Sequence, residues 1–138
     1  MLVNNEIGTV QPIKEIGELC KEYEAKFFSD ITQGLGWYPI DMKKMNIDFA
    51  SISAHKIYGP KGVGALYIKK SNYKIHPIHF GGEQEKGVRP GTLNVPGIVG
   101  LGKACEILKE NAKEIFEHIK SLRDRLKEQL LSSIKGIQ

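Results

Sequence analysis

The chain has 138 residues, one domain's worth, enough to bury roughly two-thirds of its unfolded surface on folding. With 41% apolar and 26% charged residues it has the composition of a soluble globular protein, and no stretch approaches the length of a membrane span. The net charge of +4 does not form a nucleic-acid footprint, because lysines and arginines interleave with glutamates over residues 109–117 and 123–128, as on the solvated face of a helix.

The chain opens abruptly, with only Leu2 and Val3 to supply a strand before the polar run Asn4-Asn5-Glu6-Ile7-Gly8. The start therefore reads as a truncation or a downstream start codon. No basic start, apolar core and small-residue cleavage site precede it, so a cytoplasmic location is expected. From Pro12 a helix is predicted, with proline in the first turn and Ile13, Ile16, Leu19, Cys20 and Tyr23 at helical spacing, making an amphipathic crossover. The apolar residues Phe27 and Phe28 then lead to Ser29 and Asp30 at a strand end.

Residues 34–48 give a turn and a short strand around Trp37, Tyr38, Pro39 and Ile40, with Asp41 and Asp48 expected as solvated or capping carboxylates. Residues 49–52 read as the next strand, and Gly59, Pro60, Gly62 and Gly64 forbid a helix directly afterwards. Residues 65–68 and 75–80 are predicted strands. His76 and His79 alternate with Ile75 and Ile78 on the second of these, where a polar strand face is favoured over a metal pair. Residues 81–92 form a charged, glycine-rich loop.

A helix capped by Asn94, with Pro96 in its first turn, is predicted to about Leu108. Gly97, Gly100 and Gly102 in it call for close packing. A second long helix carries Ile115, Ile119, Leu122, Leu126 and Leu130 and ends near Gly136. Cys20 and Cys105 both fall on apolar helix faces and make no zinc set or disulfide framework.

The helix and strand alternation implies an α/β fold with a mainly parallel sheet, in which ligands bind beyond the carboxyl ends of strands. Lys56 sits where a strand gives out. A lysine there can form a Schiff base with a carbonyl, and Ser53 and His55 beside it suit a phosphate. A phosphate beside a lysine on a carbonyl-bearing ring describes pyridoxal phosphate (PLP). Asp30, at the preceding strand end, is the candidate acid for the pyridine nitrogen, and Gln33 the candidate donor to the phenolic oxygen. Against these stand the ordinary alternatives: Lys56 as a solvated charge, and Asp30 as a helix N-cap or turn carboxylate.

The motifs at residues 3–8, 30–33, 53–56, 57–67 and 81–92 together resemble those of the NifS-like cysteine desulfurases, within the class-V aminotransferase family of PLP enzymes. Phe28 and Ser29 depart from the histidine and valine usual there, and Glu83 from a third glycine. The resemblance implies the fold type I architecture, with flanking helices. It makes residues 1–110 the C-terminal half of a PLP-binding large domain, and residues 111–138 a long helix leading toward a small C-terminal domain that the sequence lacks.

It also implies that Lys56 bears the cofactor, that Asp30 pairs with the pyridinium nitrogen, and that Gln33 contacts the phenolic oxygen. Ser53 and His55 would bind the phosphate, Asn5 would lie at the ring edge, and Thr92 would reach the phosphate of a partner subunit in a homodimer. The activity implied is removal of sulfur from L-cysteine to give alanine and an enzyme persulfide, passed to a sulfur-acceptor or scaffold protein for iron-sulfur clusters. The family's persulfide cysteine lies downstream of these residues, so the chain is expected to be a fragment, inactive alone. A fragment of another class-V enzyme, such as an aminotransferase or selenocysteine lyase, and a non-catalytic dimerisation module are the competing readings.

Overall fold

The computed structural model describes residues 1–70 and 74–136. Helix α1 spans Ile13–Glu22, strand β1 Phe28–Asp30, strand β2 Phe49–Ser53, strand β3 Gly64–Ile68 and helix α2 Val95–Ser133, with short 3-10 helices at Ala54–Ile57 and Gln84–Gly87. The sheet order is β1-β2-β3. β1 and β2 run parallel, with Asp30 opposite Ser51, whereas β2 and β3 are antiparallel, with Ser53 opposite Gly64. The three-stranded sheet is thus mixed rather than mainly parallel. The reason lies in residues 54–63: this connection holds one 3-10 turn and a tight glycine-rich bend, too little for the helix-bearing crossover of a parallel neighbour.

Two clusters of buried residues hold the fold together. Leu2, Ile13, Phe27, Ile31, Ile47 and Ala50 form one, which holds α1; Ala54, Ile57, Leu101, Ala104 and Leu108 form the other, which holds the first turns of α2. Each large aliphatic side chain so buried stabilises the fold by about 1.5 to 3 kcal/mol. α1 begins after Pro12, as its sequence predicts, but Leu19 and Tyr23 are exposed; its inward face is Ile13, Ile16, Gly17 and Cys20. Cys20 and Cys105 are half-buried free thiols packed against the two clusters.

Several expectations are corrected. The two predicted C-terminal helices are one continuous helix of 39 residues. No glycine or proline lies between Lys103 and Ser133 to end it, and Asn111 returns its side-chain amide to the Ile107 carbonyl within the helix. At its start, Asn94 caps it by accepting from the Gly97 N–H at 3.1 Å. Gly100 is explained by Pro60, against which a Cβ would collide, but nothing lies within 4 Å of a Cβ at Gly102, so packing does not explain that glycine.

Residues 74–80 form no strand: Pro77 removes a ladder donor, and His76 and His79 are exposed on irregular backbone rather than on one strand face. No strand forms around Trp37 either; residues 32–37 and 42–46 are turns. Asp41 caps its turn, accepting from the Lys43 and Lys44 N–H groups. Asp48, by contrast, is buried, accepts from the Phe27 N–H at 3.1 Å and pairs with Lys69 at 3.3 Å. It fastens the amino ends of β1 and β2 to the residue after β3.

Candidate active site

Because β1 and β2 are parallel, their last residues, Asp30 and Ser53, lie at one edge of the sheet. From Ser53 the chain turns directly into the 3-10 helix Ala54–Ile57, which carries His55 and Lys56 exposed and buries Ala54 and Ile57 against α2. The turn is stopped by Tyr58, a non-glycine residue at φ 64 and ψ 14, and the Gly59 N–H closes it on the Ala54 carbonyl at 2.9 Å. A left-handed tyrosine costs about 1 to 2 kcal/mol, which the bond from the Gly59 N–H and the burial of Ala54 and Ile57 offset. A Cβ at Gly59 would sit 3.0 Å from Ala54 and 3.3 Å from Ala104. Lys56 therefore projects from a turn braced on a long helix, and among the described residues no hydrogen bond or ion pair engages its Nζ.

Asp30 is half-buried. Its Oδ1 accepts from the Thr32 N–H at 2.8 Å, while its backbone carbonyl accepts from the Leu2 N–H at 2.7 Å. The turn-carboxylate role thus holds for one oxygen and leaves the other without a partner among the described residues. Gln33 is half-buried in the following turn, which the Gly34 and Leu35 N–H groups close on the Ile31 carbonyl. Ser53 Oγ and His55 Nδ1 are 2.9 Å apart. In either neutral tautomer this pair keeps one N–H or O–H donor for an anion, and a protonated imidazole leaves two.

Asn5 belongs to an exposed turn, residues 4–8, rooted through Leu2 on the carbonyl of Asp30. Thr92 is exposed on a separate loop with its own ties. Gln84 Oε1 accepts from the Gly91 N–H at 3.1 Å, and Arg89 Nη1 donates to the carbonyls of Gly91 and Thr92. Glu85 and Lys86 of that loop both have positive φ, at 48 and 58. Asp30, Ser53, His55 and Lys56 thus lie toward one end of the parallel pair, with Gln33 in the turn after Asp30 and the Asn5 turn tied to Asp30 through Leu2, while among the described residues Thr92 has no hydrogen bond to that end.

The donor set fits PLP from one side: a free amine, a carboxylate with an open oxygen, and a hydroxyl–imidazole pair with a donor to spare. Sequence reasoning overlooked the anchors behind it. Asn4, which organises the Asn5 turn, was legible as an asparagine three residues before a turn position and four before a glycine. Asp48 and Lys69 carried no local signal.

The family model described as Aminotransferase class-V matches residues 1–138. The chain belongs to the class-V aminotransferase family. This is a PLP-dependent family, and the placement of Lys56 and Asp30 at strand ends is in keeping with it. Over all 138 residues the class-V chain is 58% identical to the cysteine desulfurase IscS of Clostridium botulinum, and over 136 residues it is 52% identical to the mitosomal cysteine desulfurase of Encephalitozoon cuniculi. It spans about a third of the length of these relatives, 33% and 32% respectively. Among solved structures, it resembles the NifS-like protein of Rickettsia africae with a TM-score of 0.88 at 48% identity, covering 94% of this chain and 36% of that one. SspA in complex with cysteine matches at 50% identity with a TM-score of 0.73, over 76% of this chain and 30% of that one. The α/β architecture of the NifS-like structures is therefore shared by this class-V chain. No helix among its described residues is long and apolar enough to cross a membrane.

Proposed function

We propose that these residues form the cofactor-bearing part of a PLP-dependent cysteine desulfurase, which takes sulfur from L-cysteine for transfer to an acceptor protein. Residues 1–110 are the C-terminal half of its PLP-binding large domain, and residues 111–138 lead toward a smaller domain. The observation that carries the reading is the meeting of Asp30 with Ser53, His55 and Lys56 at the carboxyl edge of one parallel strand pair.

When bound, PLP supplies an electron sink that weakens bonds at the amino acid's α-carbon and, through it, the Cβ–S bond. Lys56 Nζ would hold the cofactor covalently, since it is exposed and takes no partner among the described residues. The free oxygen of Asp30 would keep the ring nitrogen protonated while Thr32 fixes the other oxygen. Ser53 and His55 would hold the phosphate with the donor that their mutual contact leaves over. Gln33 would contact the phenolic oxygen, and Asn5 the ring edge or the substrate carboxylate. Thr92, on its outward loop, would serve the phosphate site of a partner subunit in a homodimer. Cys20 and Cys105 contribute packing rather than sulfur transfer, since each is held against a buried cluster.

Incubation of the chain with PLP followed by borohydride is expected to fix the cofactor on Lys56. Labelling that survives Lys56→Ala, or that falls mainly on Lys61, overturns the assignment. In a chain of the relatives' full length, Asp30→Ala is expected to abolish sulfide release, and near-normal release would move the acid's role elsewhere.

A further inference from the structure

The tip of the turn that carries Asn5 has no buried residue. Asn5, Glu6, Ile7 and Gly8 are all exposed, Ile7 to 80%, so no apolar contact selects one conformation for this segment. Its shape comes instead from Asn4, which is half-buried. The Asn4 N–H donates to the Thr9 carbonyl at 2.9 Å, and its own carbonyl accepts from the Gly8 N–H at 3.1 Å. Its side-chain Oδ1 accepts from both the Glu6 N–H at 2.9 Å and the Ile7 N–H at 3.0 Å. The two backbone bonds close the ends of the turn, and the two side-chain bonds fill its middle, over the peptide that follows Asn5. Gly8 supplies the positive φ of 72 that lets the chain double back into the Val3–Val10 bridge.

The base of this turn is as firm as its tip is exposed. Leu2, fully buried, donates its N–H to Asp30 and accepts from the Gln11 N–H at 2.8 Å. The conformation of residues 4–8 is therefore referred to the backbone of the candidate acid. The Asn5 amide makes no hydrogen bond among the described residues, so it is available to a ligand, and its place depends on the turn alone.

We infer that Asn4 is a positioning residue, whose side-chain oxygen fixes the turn that presents Asn5 beside the carboxyl ends of β1 and β2. Its bearing on the cofactor rests on the proposed function above; its effect on the turn does not. Asn4→Asp keeps an oxygen in the same place and should keep both bonds, whereas Asn4→Ala removes them.

The test uses the purified 138-residue chain and two readouts. Amide hydrogen exchange at Glu6 and Ile7, without cofactor, is expected to quicken about tenfold in Asn4→Ala and to stay at the wild-type rate in Asn4→Asp. The PLP concentration giving half-maximal borohydride labelling of Lys56 is expected to rise about fivefold in Asn4→Ala and to recover in Asn4→Asp. Asn5→Ala should raise it as well, with exchange at Glu6 and Ile7 unchanged. Unchanged exchange in Asn4→Ala overturns the inference, and so does faster exchange with unaltered half-maximal labelling. If Asn4→Ala does not fold by circular dichroism, Asn4→Leu, which keeps the side-chain shape without an acceptor, takes its place with the same expectations. Absence of Lys56-dependent labelling in the wild type would instead overturn the proposed function, and exchange alone would then decide the role of Asn4.

Discussion

Asp30 and Ser51 lie opposite each other in the parallel ladder, so β2 continues for two residues after β1 has ended. At strand rise this is a step of roughly 6.6 Å along the sheet edge. The candidate acid is set back by that step, and the turn bearing Lys56 begins on its outer side.

Gly59 is the point at which this turn meets α2, and a methyl group there meets Ala54 and Ala104 closer than ordinary contact. Gly59→Ala is expected to push the 3-10 helix off α2 and lower PLP labelling of Lys56 severalfold, while costing about 1 to 3 kcal/mol of stability. Labelling at the wild-type level with wild-type half-saturation would mean that the brace does not place the lysine.

Gly36 combines two demands, a positive φ of 82 and contact with the Leu108 side chain where a Cβ would sit. Gly36→Ala is expected to lower the free energy of unfolding by about 2 kcal/mol or more in urea titration. A change within about 0.5 kcal/mol would contradict this close approach.

Asp48 and Lys69 form an unequal pair, the Asp48 side chain buried and the Lys69 side chain 44% exposed. Asp48→Ala strands the buried Phe27 N–H and should cost about 2 to 3 kcal/mol. Lys69→Ala leaves that bond in place and removes a partly hydrated partner, for about 1 kcal/mol or less. Urea unfolding of the two variants decides it, and an equal or reversed order would refute the asymmetry.

The Asp41 carboxyl is held below the usual carboxylate range, first by the Lys44 backbone N–H; desolvation opposes this, and the Lys43 N–H and the Lys44 charge reinforce it. A depressed folded value means that the turn's added stability is present above the unfolded value near about 3.9 and is lost as pH falls through the lower, folded value. NMR titration of the Lys43 and Lys44 amides should show a midpoint below about 3.9 that vanishes in Asp41→Ala. A midpoint at or above that value would refute the capping account.

The strand ends that carry the candidate site were legible because their signals are local. A polar cluster after a short apolar run marks a strand end, which is how Asp30 and Lys56 stand out, and Asn94 with Pro96 marks the start of α2. What escaped depends on partners distant in sequence. Asp48 finds Phe27 and Lys69, each 21 residues away, so its burial has no trace in its neighbours. The apolar periodicity lapses over residues 109–114, which reads as a boundary between two helices, yet without a glycine or proline the backbone has no cause to stop there. The apparent strand at residues 75–80 failed for the opposite reason, since its alternation ignores Pro77.

α2 touches the two turns of the candidate site through neighbouring windings: Leu101 and Ala104 lie beneath the lysine's turn, and Leu108 rests against Gly36, three residues beyond Gln33. Ala104 and Leu108 are about 6 Å apart along a helix, a spacing fixed by backbone hydrogen bonds rather than by side-chain choice. The helix thus acts as a gauge between Gln33 and Lys56. A slip of one residue would swing its contact face by about 100° and unseat both turns together, so the two ends of the candidate site are lost jointly or kept jointly.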